Sequence, residues 1–413
     1  MAGVGPRADV LVVGGGALGL VSALELAAAG RGVCLVDAGD FTQGTSHGNA
    51  GLLCPSYVTP IASPQILLTA LGWLARGEGP FSLARPPWQP PMAAWLARFV
   101  AACAAGSRGE STKLLAGLAR RSIEWYGAFA CSAPAFGFVR NGWLYVYGTE
   151  RGFDEGVRHA RSMRSLGVES QRLSAEDALE VEPTLRPPAG AIRYSGDAYL
   201  DPHAFVAAAV ERARAAAIAL EGGVRVRSIV PRAGDVVVQT DRGDIVASEV
   251  VVAAGAATPE LTRALGAGLP ILPARGHSAW LETTRRPRIA LLFAEAHLVL
   301  TPMSGRLRMT SGLELGSWDT SPDAARVAHM AEGARAFFAE SVEGSSEPWV
   351  GFRPLTPDGL PIVGRLARAR RVIVASGHGT LGMTLAPATG ELVRAIVEGE
   401  PEPPLVSPKR FGS

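Results

Sequence analysis

Cysteine is scarce in this chain. The four residues Cys34, Cys54, Cys103 and Cys131 form no C-x-x-C pair and no zinc-ligand spacing. A disulfide framework and a structural zinc site are thereby excluded, and free thiols in a reducing compartment are expected. An excess of either charge is also lacking. Forty basic and 38 acidic residues leave a formal charge of +2, which gives no electrostatic reason for nucleic-acid binding. No run of eighteen cleanly apolar residues occurs, so no membrane span is expected. The apolar amino terminus has no basic region beyond Arg7, so it does not read as a secretory signal.

What is present is ample apolar material, 47% of 413 residues, enough for two or three domains with large cores. The first forty residues organise it. Asp9 to Val13 is a β-branched apolar run suited to a buried strand. Gly14-Gly15-Gly16-Ala17-Leu18-Gly19 follows directly, then a helical stretch from Leu18 to Ala29 stopped by Gly30. A second strand, Val33 to Val36, ends in Asp37. Strand, G-x-G-x-x-G, helix, strand and acid in that order form the dinucleotide fingerprint. Gly14 permits the tight turn, Gly16 lets backbone N–H groups approach a pyrophosphate, and Gly19 lets helix and strand pack closely. Asp37 is placed to accept hydrogen bonds from a ribose. The alternative is a β-α-β unit whose glycines serve packing alone.

The segment Gly39 to Pro55 is long, small and polar, with Thr45-Ser46-His47-Gly48-Asn49-Ala50-Gly51-Leu52 at its centre. Such a loop suits close wrapping of a ligand. A helix is expected from Ser63-Pro64 with its body at Ile66 to Ala75, and another from Met92 to Ala105. These apolar helices, with Trp73, Trp88 and Trp95, pack on a second domain or touch a membrane surface. Helices are also expected over Lys113–Phe129, Arg151–Leu166 and from Asp201-Pro202 through Leu220. Strands are expected at Gly142–Tyr147, Val224–Ile229, Val236–Thr240 and Ile245–Val252, the last ending in Ala253-Ala254-Gly255-Ala256. Residues 270 to 350 read as several short strands with turns at Met303-Ser304-Gly305 and Gly316-Ser317. Nucleotide-type pattern then returns: a buried strand from Arg371 to Ala375, the Gly377-His378-Gly379-Thr380-Leu381-Gly382-Met383-Thr384 loop, and a helix from Ala388 to Val397.

The fold class implied is α/β: a Rossmann-type dinucleotide domain with an inserted mixed-sheet substrate domain. The division expected is 1–60, 190–269 and 350–413 for the first, 61–189 and 270–349 for the second.

This layout resembles the glycine oxidase and bacterial D-amino-acid dehydrogenase branch of the FAD-dependent D-amino-acid oxidase superfamily, over essentially the whole chain. The carriers are the Gly14-to-Asp37 fingerprint, Thr45-Ser46 with Asn49-Ala50-Gly51, the Gly351-to-Gly364 stretch, and Gly377 to Gly382. Leu385-Ala386-Pro387-Ala388-Thr389-Gly390 looks more like glycine oxidase. The resemblance implies FAD as cofactor. Gly14, Gly16, Ala17, Leu18 and Gly19 would hold the pyrophosphate, and Asp37 and Ala38 the adenosine ribose. Thr45, Ser46, His47, Asn49, Ala50, Gly51 and Leu52 would line the flavin. Val224 is similar to the residue whose backbone contacts adenine, and Ala254 and Gly255 would sit near the pyrophosphate. His378, Gly379, Thr380, Leu381, Gly382, Met383 and Thr384 would lie beside the isoalloxazine, His378 in a cofactor contact or a purely structural role. Related amine dehydrogenases attach FAD through a histidine in a loop resembling Thr45 to Leu52. His47 is the one suspect, its spacing is one residue off, and non-covalent FAD is expected.

Arg353 is similar to the arginine that grips the substrate carboxylate, with Arg275 the next candidate. The alternative for Arg353 is pairing with Asp358 or stacking on Trp349. Glycine oxidase places a tyrosine over its substrate; Leu298 stands at the similar place and implies a more apolar pocket. His277 is a second pocket candidate, whereas His159, His203 and His329 read as surface or helix residues. The activity implied is oxidative deamination of a small amino acid by hydride transfer to FAD, as a D-amino-acid dehydrogenase serving a quinone or other carrier. The alternatives are an oxygen-using oxidase of glycine, sarcosine or D-hydroxyproline, and a flavin-binding partner protein without turnover. The expected setting is cytoplasmic, with peripheral contact at the inner face of a membrane.

Overall fold

The computed structural model describes residues 7–42, 44–60, 62, 81–105 and 108–412. The expected helix over 66–75 lies outside the described residues.

Two large sheets carry the fold. In the first, Arg7–Val13 lies between Gly243–Val252 and Val33–Asp37, all parallel. Ala369–Ser376 extends the parallel set beside Val250 to Val252, and Ala219–Gly222 extends it beyond Val33–Asp37. Val226–Pro231 and Val236–Thr240 join as an antiparallel meander. The central strands are apolar on both faces, as burial on both sides demands. Leu11, Val36 and Val250 pack on one side, and Val12, Leu35 and Val251 on the other beneath the helix Ala17–Ala28. The parallel strands thus end together at one edge, and glycine- or alanine-rich turns follow them there.

The second sheet has nine strands among the described residues, with Val342–Leu355 at its edge against Leu272–Thr283 over nearly their whole lengths. Leu272–Thr283 pairs in turn with Arg306–Leu315, then come Leu298–Met303, Ala290–Phe293 and Trp143–Tyr147. One face is covered by a helix, Ala324–Phe337, through Val327, Met330, Ala331 and Ala334. The other face looks toward the first sheet.

Four expectations are corrected. The helix from Pro202 ends at Ala215, not Leu220, because Ala217 turns to φ 55° and Ala219–Gly222 is drawn in as a parallel partner of the buried strand Val33–Asp37. The helix Ala324–Phe337 interrupts what reads as strand. Its signal is the Asp323 cap, whose carboxylate accepts from Arg326 N at 3.1 Å. Gly190–Tyr194 pairs antiparallel with Trp143–Tyr147 and so belongs to the second sheet. The carboxy-terminal helix runs from Gly382 to Val397, starting six residues before Ala388 with Pro387 inside it.

That last start is possible because the disruption by Pro387 is repaired. Proline has no N–H to give the carbonyl four residues back, which is that of Met383. The buried Tyr126 hydroxyl donates to that carbonyl instead, at 2.7 Å. Ser122 Oγ accepts the N–H of Ala388 at 3.2 Å. Both come from the helix Arg108–Ala130, which packs along the carboxy-terminal one.

Candidate active site

The turn Gly14 to Gly19 is shaped by its lack of side chains. Gly14 has φ 109°, and a Cβ there would lie 2.5 Å from the carbonyl oxygen of Ala253. A Cβ on Gly19 would run into the Gly14 carbonyl, so Gly19 lets helix and strand close. Asp37 then braces the turn: Oδ2 accepts from Gly15 N at 2.6 Å and Oδ1 from Gly39 N at 2.7 Å. Each oxygen keeps a lone pair for a further donor. Val224 N donates to the Asp37 carbonyl at 2.8 Å, bringing the next loop alongside.

The loop after Asp37 links the two sheets. Ser46 Oγ accepts the N–H of Ala17 at 3.0 Å, at the helix N-terminus. Asn49 Oδ1 accepts from Gly51 N at 2.6 Å and its amide donates to Ser46 O at 3.0 Å. Thr45 Oγ1 donates to Phe352 O and accepts from Phe352 N, at 3.0 and 3.2 Å, like one more partner of the edge strand. Ser278 Oγ donates to Gly48 O at 2.8 Å, and the Trp349 ring lies where a side chain on Gly48 would be. His47 Nδ1 meets His203 Nδ1 at 2.8 Å, so His203 has a ring partner in the loop.

These parts enclose one cavity of about 1510 Å³. It runs from Gly14, Gly16 and Asp37, past Thr45 to Ala50 and Ala254-Gly255, to Gly379–Met383 and Arg353. Small-molecule sites are typically about 300–1,000 Å³, so there is room for more than a small substrate. The amino-terminal end of the helix Ala17–Ala28 faces it through Gly16, Ala17 and Leu18, so the helix's positive end is directed into the cavity. A dinucleotide with its pyrophosphate at that end fits these residues in length and chemistry. Of the cofactor candidates, Gly19, Gly51 and Thr384 do not face the cavity. Gly19 is consumed by packing, and Gly51 turns at φ 68° under the Leu200 carbonyl. Thr384 Oγ1 donates to Leu52 O at 3.1 Å and accepts from Cys54 N at 3.3 Å, holding the loop from behind.

Arg353 projects into the cavity from the edge strand. Its Nη1 donates to Gly312 O at 2.6 Å, and among the described residues no carboxylate pairs with it. Burial pulls its pKa down, opposed by the nearby Tyr57 phenol. The guanidinium is seated on Gly276, where a Cβ would come within 2.5 Å of Arg353 Cζ. Asp358 does not serve it: that carboxylate is taken by Arg410 at 2.7 Å. Trp349 is packed over Gly48 and Gly351. Arg275 is not a second anchor. It does not line the cavity, and it pairs with Glu314 at 3.0 Å and Asp319 at 3.4 Å.

His277 lines the cavity, is 2% exposed, and neither ring nitrogen has a partner among the described residues. Burial, then Arg275 and Arg326, pull its pKa to about 4, so it is neutral at pH 7. His378 also lines the cavity, with Nε2 2.8 Å from Thr389 Oγ1 and a pKa pulled to about 3 by burial. Leu298 is a correction. Strand alternation points it away from the site, under the helix Ala324–Phe337, at 1% exposure; Val299 faces the cavity instead. Sequence reasoning misses Tyr57, Trp143, Tyr145 and Trp349, all of which line the cavity. The alternation on Trp143-Leu144-Tyr145 is a visible signal, but nothing local says which face meets the ligand.

Comparison with known proteins agrees with this geometry. The family model DAO, FAD dependent oxidoreductase, matches residues 9–396. A D-amino acid dehydrogenase of Paramagnetospirillum magneticum is 30% identical over 403 residues, covering 95% of each chain. One of Methylobacterium sp. is 32% identical over 409 residues, covering 94% of this chain and 95% of its own. The solved glycine oxidase of Geobacillus kaustophilus superposes with a TM-score of 0.77 at 25% identity, covering 96% of this chain and 95% of that one.

Proposed function

The chain belongs to the DAO family of FAD-dependent oxidoreductases, and from that membership we propose that it is a dehydrogenase of small D-amino acids. The observation that carries the substrate class is Arg353. A guanidinium in a cavity, with one carbonyl as partner and no carboxylate among the described residues, is half of an ion pair. A planar fork suits a substrate carboxylate bound through both oxygens. The D-amino acid dehydrogenases at 30% and 32% identity across the chain support the choice of substrate.

Gly14 to Leu18 would hold the FAD pyrophosphate, Asp37 its adenosine ribose, and Thr45 to Leu52 with Gly379 to Met383 the flavin. Bound FAD supplies the acceptor for the two electrons and α-hydrogen of the substrate. This chain's residues orient and desolvate. Arg353 fixes the carboxylate, the apolar walls exclude water, and the amine must arrive as the free base, since a protonated amine has no lone pair to form the C=N bond. The product is the imino acid, which water converts to a 2-oxo acid and ammonia, or a ring imine where the substrate is proline-like.

The apolar helix Met92–Ala104 lines the mouth with Trp95, Leu96, Phe99 and Val100, and Trp88 beside it is 75% exposed. We assign this mouth to the approach of a quinone-type acceptor and to peripheral membrane contact. No helix among the described residues is long and apolar enough to cross a membrane. An oxygen-using oxidase is the second reading, favoured by the likeness to glycine oxidase.

An anaerobic screen tests the assignment. Flavin absorbance is followed with D-amino acids, D-proline derivatives, glycine and sarcosine. Bleaching by D-amino acids with slow reoxidation in air is expected. Bleaching by glycine or sarcosine with reoxidation as fast as turnover on an artificial acceptor would establish the oxidase. A protein that stays yellow with every amino acid would refute both.

A further inference from the structure

The loop that wraps the cavity is pinned on either side of His47. Ser46 Oγ is bonded to Ala17 N, and Gly48 O accepts from Ser278 Oγ at 2.8 Å and from Arg308 Nη1 at 3.3 Å. His47 N closes a turn on Gly44 O at 3.0 Å. The His47 ring lines the cavity and leaves the loop toward a partner 156 residues away.

That partner, His203, stands in the first turn of the helix Pro202–Ala215. Asp201 caps this helix, one carboxylate oxygen accepting from His203 N at 3.0 Å and from Ala204 N at 3.2 Å. The other oxygen bonds Ser304 Oγ, at the turn after the strand Leu298–Met303, so the cap is tied to the second sheet. His203 is therefore fixed from both sheets, and its exposed ring is open to solvent protons.

The two rings meet edge to face, with centroids 4.3 Å apart and Nδ1 2.8 Å from Nδ1. At that distance one nitrogen donates and the other accepts. The contact needs one proton between the two atoms: two bare lone pairs repel, and two N–H groups collide. A first added proton can settle on the outer nitrogen of the donor ring and leaves the contact in place. A second must take the accepting Nδ1, which breaks the contact and sets two cations against each other. Burial, then the His203 ring and the buried Arg308, lower the His47 pKa, against the pull of Asp201 and Asp40. The one-proton contact is thus the state at pH 7, and the pair takes its last proton below the ordinary histidine value of about 6.5.

We propose that His203 is a positioning residue for the flavin loop: one proton shared between its Nδ1 and that of His47 holds the loop in its FAD-binding shape, and acid opens the contact when both rings become charged. The inference rests on the assignment of FAD to Thr45–Leu52 and extends it to a distant residue and a pH dependence of cofactor retention.

The test follows release of FAD from the diluted holoenzyme by the return of free-flavin fluorescence, from pH 8 to pH 5. The dissociation constant of the wild type should be level above about pH 7 and rise about tenfold or more by pH 5. His203→Ala removes the contact at every pH and should weaken FAD about tenfold at pH 8, the worth of one hydrogen bond. His203→Asn places a donor and an acceptor at the same edge and cannot gain a proton. It should hold FAD within about threefold of the wild type at pH 8 and lose most of the acid-induced rise. In a His47→Ala background, His203→Ala should add nothing. If His203→Ala does not fold, the His203→Asn profile decides alone. An acid-induced rise in His203→Asn as steep as the wild type's would overturn the shared proton. Wild-type affinity in His203→Ala at pH 8, or additive losses in the double variant, would overturn the positioning role while leaving the FAD assignment intact. A protein that neither carries nor takes up FAD would overturn that assignment and this inference together.

Discussion

Replacing Gly276 by alanine tests the seat of Arg353 without touching the arginine. A Cβ at residue 276 would stand 2.5 Å from Arg353 Cζ. Carbon contacts are comfortable at about 3.5 Å, so the guanidinium must retreat by roughly 1 Å. Gly276 lies within the strand Leu272–Thr283, and its φ is not in the left-handed region, so alanine itself is tolerated. The retreat would break the 2.6 Å bond from Nη1 to Gly312 O and move the fork off its carboxylate. Misplacement of a positioning group by about 1 Å costs on the order of a hundredfold in rate. Arg353→Met removes the contact outright and leaves the carboxylate unpaired, at roughly 3 to 5 kcal/mol, on the order of a hundredfold to a few thousandfold in kcat/KM. Arg353→Lys should recover only part, because an ammonium lacks the fork. The assay is anaerobic flavin reduction by substrate, with FAD content and reduction by dithionite as controls that should not change. Because both substitutions act on one contact, the double variant should be no worse than Arg353→Met. Near-normal efficiency in Gly276→Ala, or losses that add, would refute the seat.

Three further outcomes are expected. Burial lifts the Asp197 carboxyl from 3.8 to about 7, so the folded protein holds that proton more tightly than the unfolded chain. Its stability should therefore fall as pH rises from about 4 to about 7 and then level. Asp197→Asn removes this decline and should gain up to about 4 kcal/mol on wild type between pH 4 and pH 8, measured by chemical denaturation; parallel curves would refute the buried charge. Tyr126→Phe should cost roughly 1 to 3 kcal/mol by leaving the Met383 carbonyl, already without a donor because of Pro387, unsatisfied; an unchanged thermal midpoint would show that the helix closes without it. FAD should be released on acid precipitation, because His47 is engaged ring to ring with His203; yellow colour in the pellet would contradict this.

The local chemistry of the cofactor site is written into consecutive residues, which makes it legible in the amino-acid sequence. Gly14, Gly16 and Gly19 fall within six consecutive residues in the spacing of the fingerprint, and Asp37 follows by the length of one helix and one strand. The wrapping loop and the Gly377–Met383 turn are likewise short-range features whose small residues state their purpose. What the sequence alone cannot decide is which face of a strand meets which partner. Leu298 and Val299 are both apolar, and only the helix Ala324–Phe337 packed on one side sends Leu298 away from the ligand. Arg353 and Arg275 are both candidate anchors in the sequence, and strand pairing separates them by placing Arg275 on Glu314 and Arg353 over Gly276. Ser56 and Asp197, 141 residues apart, meet beside Tyr57 only because two sheets close on each other. Pairing of that range depends on the burial and register of whole sheets, and no window of neighbouring residues contains it.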